Sequence, residues 1–411
     1  MKYLLSLMLL GSMQVAALNL DEKLALILDL YALSPKSCSQ SGDSSLAAFR
    51  DAGDILFNSS VLSGDSDTSC SVCHLDDKHL ADGLPIAAGI GRNPELENAI
   101  TEDTVLVPRN AFTLFGRSDP EYKVFFWDGK VVEKEGQIFS PMGNGYALGF
   151  KSPLAVAAVL PLLARDEFLG RHSYFDSTEH FDTINTQHYR AKYDAANKVI
   201  ASVLKKANSS DAKKLKQAFI KAGVKNPTLA DVGNALASFI DELNERCISS
   251  AWDEYLKGNT AALTEQQKEG AVLFYGKGRC AGCHSGSLFS DFEYHSLAVP
   301  QGNFGTYIHS QDIGRASVTY QDNDRYQFRT PSLIGVSKTE PYGHNGVFPN
   351  IDSVVRFHLN PIPFLSGYKW TSERERLTYG KTLNSRSELL GYITIETEEE
   401  LTALISFLDV L

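Results

Sequence analysis

The chain has 411 residues, is 43% hydrophobic and 22% charged, and carries a formal net charge of −11. That length accommodates two or three domains with substantial cores. The acidic balance argues against a nucleic-acid partner, and no apolar run beyond the N-terminal segment is long enough to span a bilayer.

Residues 1–17 read as a secretory signal peptide, with Lys2 as the charged start, an apolar stretch from Tyr3 to Leu10, and Val15-Ala16-Ala17 as a small-residue cleavage site. Cleavage removes only Lys2 among the charged residues, leaving −12. The expected mature protein is exported and has no membrane span. Leu20 to Leu33 follows as an apolar helical stretch ending at Ser34-Pro35, then a Ser/Gly-rich loop from Ser37 to Ser45. These residues, 18–45, form an N-terminal arm.

The next feature is Cys70-Ser71-Val72-Cys73-His74, and it has a counterpart in Cys280-Ala281-Gly282-Cys283-His284. Each is C-x-x-C-H, the attachment sequence for c-type haem. Two thiols one turn apart form thioethers to the macrocycle, and the adjacent His74 or His284 reaches the iron as proximal ligand. Zinc could use paired C-x-x-C motifs, but here each carries the adjacent His and they lie in opposite halves of the chain. A thioredoxin-like pair would sit beside a βαβ pattern, which is absent. Of the six cysteines, Cys38 and Cys247 remain, and an oxidising compartment would let them pair or leave them as two thiols.

Residues 80–150 are rich in Gly, Pro and Asn with little periodicity, as expected of chain wrapped around a cofactor. An insertion is expected near 175–215, with Lys205 to Lys216 as a charged, solvated helix. Thr228 to Asp231 resembles a capping box before a helix face of Val232, Leu236, Phe239, Ile240 and Leu243. Thr264 with Gln267 opens the helix leading into the second motif. The last helix begins at Thr397 with Glu400 and presents Leu401, Leu404, Ile405 and Leu408; its acidic first turn suits the helix dipole. The reading is mainly α, with two cytochrome c-like domains at 46–258 and 259–411, each holding one covalent c-type haem.

The sixth iron ligands decide function, because an open iron activates peroxide and a closed one transfers electrons. Met142 is the one methionine left after signal cleavage, and it belongs to the first half. Candidates in the second half are His295, His309, His344, His358 and tyrosines.

Taken with the haem motifs, the segments Asp82-Gly83, Pro108-Arg109-Asn110-Ala111, Phe126-Trp127-Asp128-Gly129, Arg329-Thr330-Pro331-Ser332-Leu333 and Pro341-Tyr342-Gly343-His344-Asn345-Gly346 resemble the bacterial di-haem cytochrome c peroxidase and MauG-type family. The likeness covers about residues 46–411 apart from the insertion. It implies a calcium ion and a tryptophan between the haems. Carried over, Trp127 is that tryptophan; Asn110 gives a side-chain oxygen to calcium, and Thr339 and Pro341 give carbonyls, a hard neutral donor set. The family's sixth ligand to the second haem, Met or Tyr, falls on His358, with His344 as competitor near the haems. Gln137 and Pro141 match the peroxide site of the first haem, whereas the family's general acid/base Glu falls on Ala147, leaving Tyr146 as a substitute and Met142 as an alternative cap.

The resemblance therefore implies a periplasmic peroxidase-type oxidoreductase. It would reduce hydrogen peroxide at the first haem with electrons relayed through the second. The electron donor would be a small cytochrome or cupredoxin, and a homodimer is one expectation. Two alternatives stay open: a di-haem electron-transfer protein, and a MauG-like enzyme oxidising a protein side chain.

Overall fold

A computed structural model describes residues 18–35, 47–64, 67–92, 100–169, 189–245, 249–302 and 311–411. The signal peptide, Cys38, Cys247, His309 and residues 175–188 of the expected insertion lie outside the described residues.

The described chain is mainly helical, with three small antiparallel sheets. After α1 (Leu20–Leu30) come α2 (Arg50–Asn58) and α3 (Cys70–Cys73). Two short strands, β1 (Ala87–Ala88) and β2 (Leu106–Val107), pair with each other. A three-stranded meander follows: β3 (Val124–Phe125), β4 (Val131–Lys134) and β5 (Gln137–Phe139). The first half then closes with α4 (Pro153–Val159), α5 (Tyr189–Lys206), α6 (Ser210–Lys221) and α7 (Leu229–Glu245). The second half holds α8 (Ala251–Leu256), α9 (Glu265–Tyr275), and the pair β6 (Tyr294–His295) and β7 (Phe328–Arg329), with α10 (Ala316–Thr319) between them. It ends with α11 (Ile351–Leu359), α12 (Ile362–Gly367), α13 (Glu373–Asn384) and α14 (Glu398–Leu408).

Two apolar cores correspond to the two halves. One gathers residues from Phe49 to Leu243 together with Leu288. The other gathers residues from Trp252 to Leu411 together with Leu24 of α1. Each core is built on a crossing between the helix that precedes a haem motif and the last helix of that half. In both crossings a glycine faces a carbonyl. A Cβ at Gly53 on α2 would come 2.1 Å from the Ala235 oxygen of α7, and one at Gly270 on α9 would come 2.0 Å from the Ala403 oxygen of α14. Only a residue without a side chain admits backbones this close.

Helix caps follow the sequence. Thr228 and Asp231 exchange hydrogen bonds at the start of α7, and Thr264 and Gln267 form a capping box on α9. Two features differ from expectation. The segment 205–216 is not one solvated helix: α5 ends at Lys206, Ala207 turns at φ 44°, and Ser209 caps α6 through the Ala212 N–H. Ala212 and Leu215 are buried in the first core along with Phe219 of the same helix, because its apolar face was hidden by the lysines between those positions. The arm at residues 18–45 is also more than a leader to the first half. Its helix α1 docks on the second core, where Asp21 accepts from Lys268 at 3.0 Å and from the Tyr255 hydroxyl at 2.9 Å.

Gly270→Ala is expected to force α9 off α14 and destabilise the second half by about 1–3 kcal/mol or more, the usual cost of overpacking. Chemical denaturation of the holoprotein would show this as a lower midpoint. An unchanged midpoint would mean the helices separate without cost.

Candidate haem sites and the seam between them

The first motif begins as a single helical turn, α3, which places Cys70 and Cys73 on one side. The chain leaves it at His74, whose Nδ1 lies 2.8 Å from the Leu80 carbonyl. A carbonyl can only accept, so Nδ1 carries the proton and Nε2 keeps its lone pair. The second motif repeats the arrangement on a 3-10 turn, with His284 Nδ1 3.1 Å from the Phe289 carbonyl. This is how a metal-ligating imidazole is ordinarily oriented. Burial holds His74 neutral, down to about 4, and lowers His284 as well.

His358 is prepared in the same way. It sits near the end of α11, donates from Nδ1 to the Val354 carbonyl at 2.7 Å, and is held by burial down to about 4. His284 and His358 thus present two imidazoles prepared alike. Both line one cavity of about 730 Å³, together with Cys280, Cys283, Asn110, Trp127 and His344. The walls are largely apolar and the donors are two oriented imidazoles, a set that fits a haem attached at Cys280 and Cys283. The first site offers a different sign of fit. Buried guanidinium nitrogens of Arg92 and Arg117 lack hydrogen-bond partners, and both cations lower the affinity of His74 for a proton. Haem propionates are carboxylates, the groups such nitrogens would bind. Sequence reading had not singled out either arginine, since an isolated Arg carries no local signal of burial.

A polar seam joins the two halves of the chain beside this cavity. Trp127 donates from Nε1 to the Asn110 carbonyl at 3.0 Å, and the Asn110 N–H donates to the His344 carbonyl at 2.7 Å. Arg329 donates from its backbone N–H to the Trp127 carbonyl at 2.8 Å. The side-chain amide of Asn110 lies 2.6 Å from the Pro341 carbonyl, with Thr339 lining the same cavity. His344, the competing candidate, lines the same cavity. Its ring stacks on Phe328 at 3.7 Å and meets Trp127 edge-on at 6.5 Å, while Nε2 is buried without a partner.

Arg109 holds this seam. Its Nε and one terminal nitrogen reach Asp312 at 2.7 and 2.8 Å, and the other reaches Asp128 at 2.6 Å. Burial pushes both carboxyls up, yet the guanidinium keeps each below its ordinary value.

The remaining predicted residues lie elsewhere. His295 lines the cavity but is engaged by Asp291 at 3.0 Å, which raises it to about 10. Cys283, Asp291 and His295 are close enough to hold a metal, but Cys283 belongs to the haem motif. Gln137 and Pro141 sit on and after β5, with Ala147 exposed on the following turn and Met142 buried in the first core. None of these four lines the second cavity. Tyr146 is 38% exposed and is raised by burial and by Glu133.

A family profile described as "Di-haem cytochrome c peroxidase" matches residues 50–261. The chain is 26% identical over 328 residues to a cytochrome-c peroxidase, IdrP2, of Denitromonas iodatirespirans, covering 74% of this chain and 72% of that one. It is 25% identical to the methylamine utilization protein MauG of Methylophilus methylotrophus, covering 74% and 70%. The fold matches the crystal structure of the diheme peroxidase BthA from Burkholderia thailandensis with a TM-score of 0.60 at 19% identity, over 92% of this chain and 89% of that one.

Arg109→Ala is expected to cost about 3–5 kcal/mol, because it strands two buried carboxylates. With both carboxyls depressed, the clamp's stabilisation is complete above their ordinary value of 3.8 and is lost as pH falls through the lower folded values. Denaturation from pH 7 to pH 2 should therefore show the gap between wild type and variant closing on the acid side. A constant gap would contradict the assignment.

Proposed function

The chain belongs to the di-haem cytochrome c peroxidase family, and on that premise we propose that it is a periplasmic oxidoreductase reducing hydrogen peroxide at the first haem with electrons relayed through the second. The single observation carrying this reading is the asymmetry of the two sites. The second cavity contains two neutral, oriented imidazoles, His284 and His358. A haem with both axial positions filled transfers electrons, and one with an open position binds peroxide.

His74 and His284 serve as proximal ligands, and His358 as the sixth ligand of the second haem. Two imidazoles favour a lower potential than a His/Met pair. Trp127 carries electrons between the sites. Its indole is fixed by the Asn110 carbonyl, and its backbone carbonyl is tied to Arg329 of the second half. Asn110, Thr339 and Pro341 would hold calcium beside it through neutral oxygen donors, a role that would replace the hydrogen bond the Asn110 amide now donates to the Pro341 carbonyl. Gln137 and Pro141 border the peroxide position. With Ala147 in place of a carboxylate, proton transfer there falls to Tyr146. The reductant is a small cytochrome or cupredoxin.

A MauG-like oxidation of a protein side chain is the second reading. The relative named MauG favours it.

Optical and EPR titration with hydrogen peroxide, on oxidised and half-reduced protein, tests the proposal. A high-spin haem that reacts rapidly with peroxide is the expected result. Two low-spin haems unmoved in either redox state would make the chain an electron carrier on this scaffold. Separately, His358→Ala should convert the second haem from low to high spin; an unchanged low-spin signal would remove His358 as ligand.

A further inference from the structure

We propose that Tyr368, Trp370 and Tyr379 form a redox-active relay that carries single electrons between the second haem cavity and the protein surface, on the side of α13, with Glu375 as the proton acceptor. The relay is separate from Trp127, which faces the first half. It rests on the peroxidase reading only for its oxidant, hydrogen peroxide.

The three rings make a continuous stack. Tyr368 meets Trp370 edge-on at 5.0 Å between centroids, and Trp370 meets Tyr379 at 5.1 Å. These are ordinary aromatic contact distances, but Tyr and Trp are also the two ring types that one-electron oxidants can oxidise. The inner end abuts the cavity. Tyr379 is buried on α13, one turn before Thr382, which lines the cavity. Its hydroxyl donates to the Ala298 carbonyl at 2.7 Å, next to the lining residue Val299. Trp370, the middle ring, is partly exposed beside exposed Lys369 and Thr371 and is the point of access from solvent, with Tyr368 on its other side.

Removing an electron from a phenol makes its proton strongly acidic, so the phenol on which the oxidising equivalent comes to rest needs a base at hand. Tyr368 has one: its hydroxyl donates to Glu375 at 3.2 Å. Glu375 is only 2% exposed, yet no cation pairs with it among the described residues. Its oxygens are held by the N–H groups of Gly302 and Thr371 and the Thr371 hydroxyl. The carboxylate lies in direct hydrogen-bond contact with the phenol whose proton it would receive.

The step balances as follows. One electron leaves the relay for the oxidised cofactor, and the Tyr368 proton moves to Glu375. One electron then enters at Trp370 from an external one-electron reductant, and the proton returns to the phenol. Two such cycles, with two solvent protons, match one peroxide reduced to two waters.

The test uses the di-haem protein with its second haem reduced and a ruthenium photo-oxidant attached at Lys369→Cys. Peroxide is absent, so failure of the peroxidase reading is seen only in the titration above. Flash excitation should oxidise the reduced haem after a transient Tyr or Trp radical. Trp370→Phe should slow this by about tenfold or more, equivalent to 1.36 kcal/mol of barrier per tenfold. Tyr379→Phe should do the same, and Tyr368→Phe should remove the solvent deuterium effect. Trp370→Phe, at a partly exposed site, decides the matter if Tyr379→Phe disturbs folding. Equal rates in wild type and Trp370→Phe would overturn the proposal.

Discussion

The contact on which the rest depends is the buried fork of Arg109 between Asp128 and Asp312. Its planar guanidinium satisfies two carboxylates from opposite halves of the chain, a task no lysine could perform with the same geometry. Asp128 is the neighbour of Trp127, and Arg109 is the neighbour of Asn110. Fixing the ion pair therefore fixes both the indole and the amide that line the cavity. Arg315 adds to this by donating to the carbonyls of Asp128 and Gly129. Desolvating three charges is expensive, and the observed geometry is what offsets it.

Around that seam the two halves are variations on one plan. Each places a glycine of the pre-motif helix against the backbone of the closing helix, and each lets a short turn lead to a buried His. They differ in the side chains near each motif. The second half supplies His358 from α11, held by its own helix. The first half supplies nitrogens of Arg92 and Arg117 without hydrogen-bond partners.

Much of this was legible in the sequence because its signals are local. The C-x-x-C-H spacings dictate a turn with both thiols on one side. The caps at Thr228 and Thr264 follow from residues three positions apart. Assigning Met142 to the first half left several second-half histidines, and only the family resemblance singled out His358 among them. What could not be read depends on residues far apart. Arg109 gives no hint of Asp312, and Gly53 and Gly270 give no hint of the carbonyls they approach. The lysines of 205–216 masked the buried face of Ala212 and Leu215. Arg92 and Arg117 carry no local signal of the partnerless nitrogens they bury.

The docking of α1 also bears on how the molecule is assembled. Asp21 and Lys268 are 247 positions apart, and Tyr31 reaches the carbonyl of Tyr275 across nearly the same span. A segment among the first to be synthesised is thus among the last to find its place, because its partner surface does not exist until the second half has folded. Such long-range closure is slow and leaves an apolar helix waiting in the meantime. It also means that the chain cannot be divided at the boundary between its halves: a fragment holding only the second motif would lack one wall of its own core.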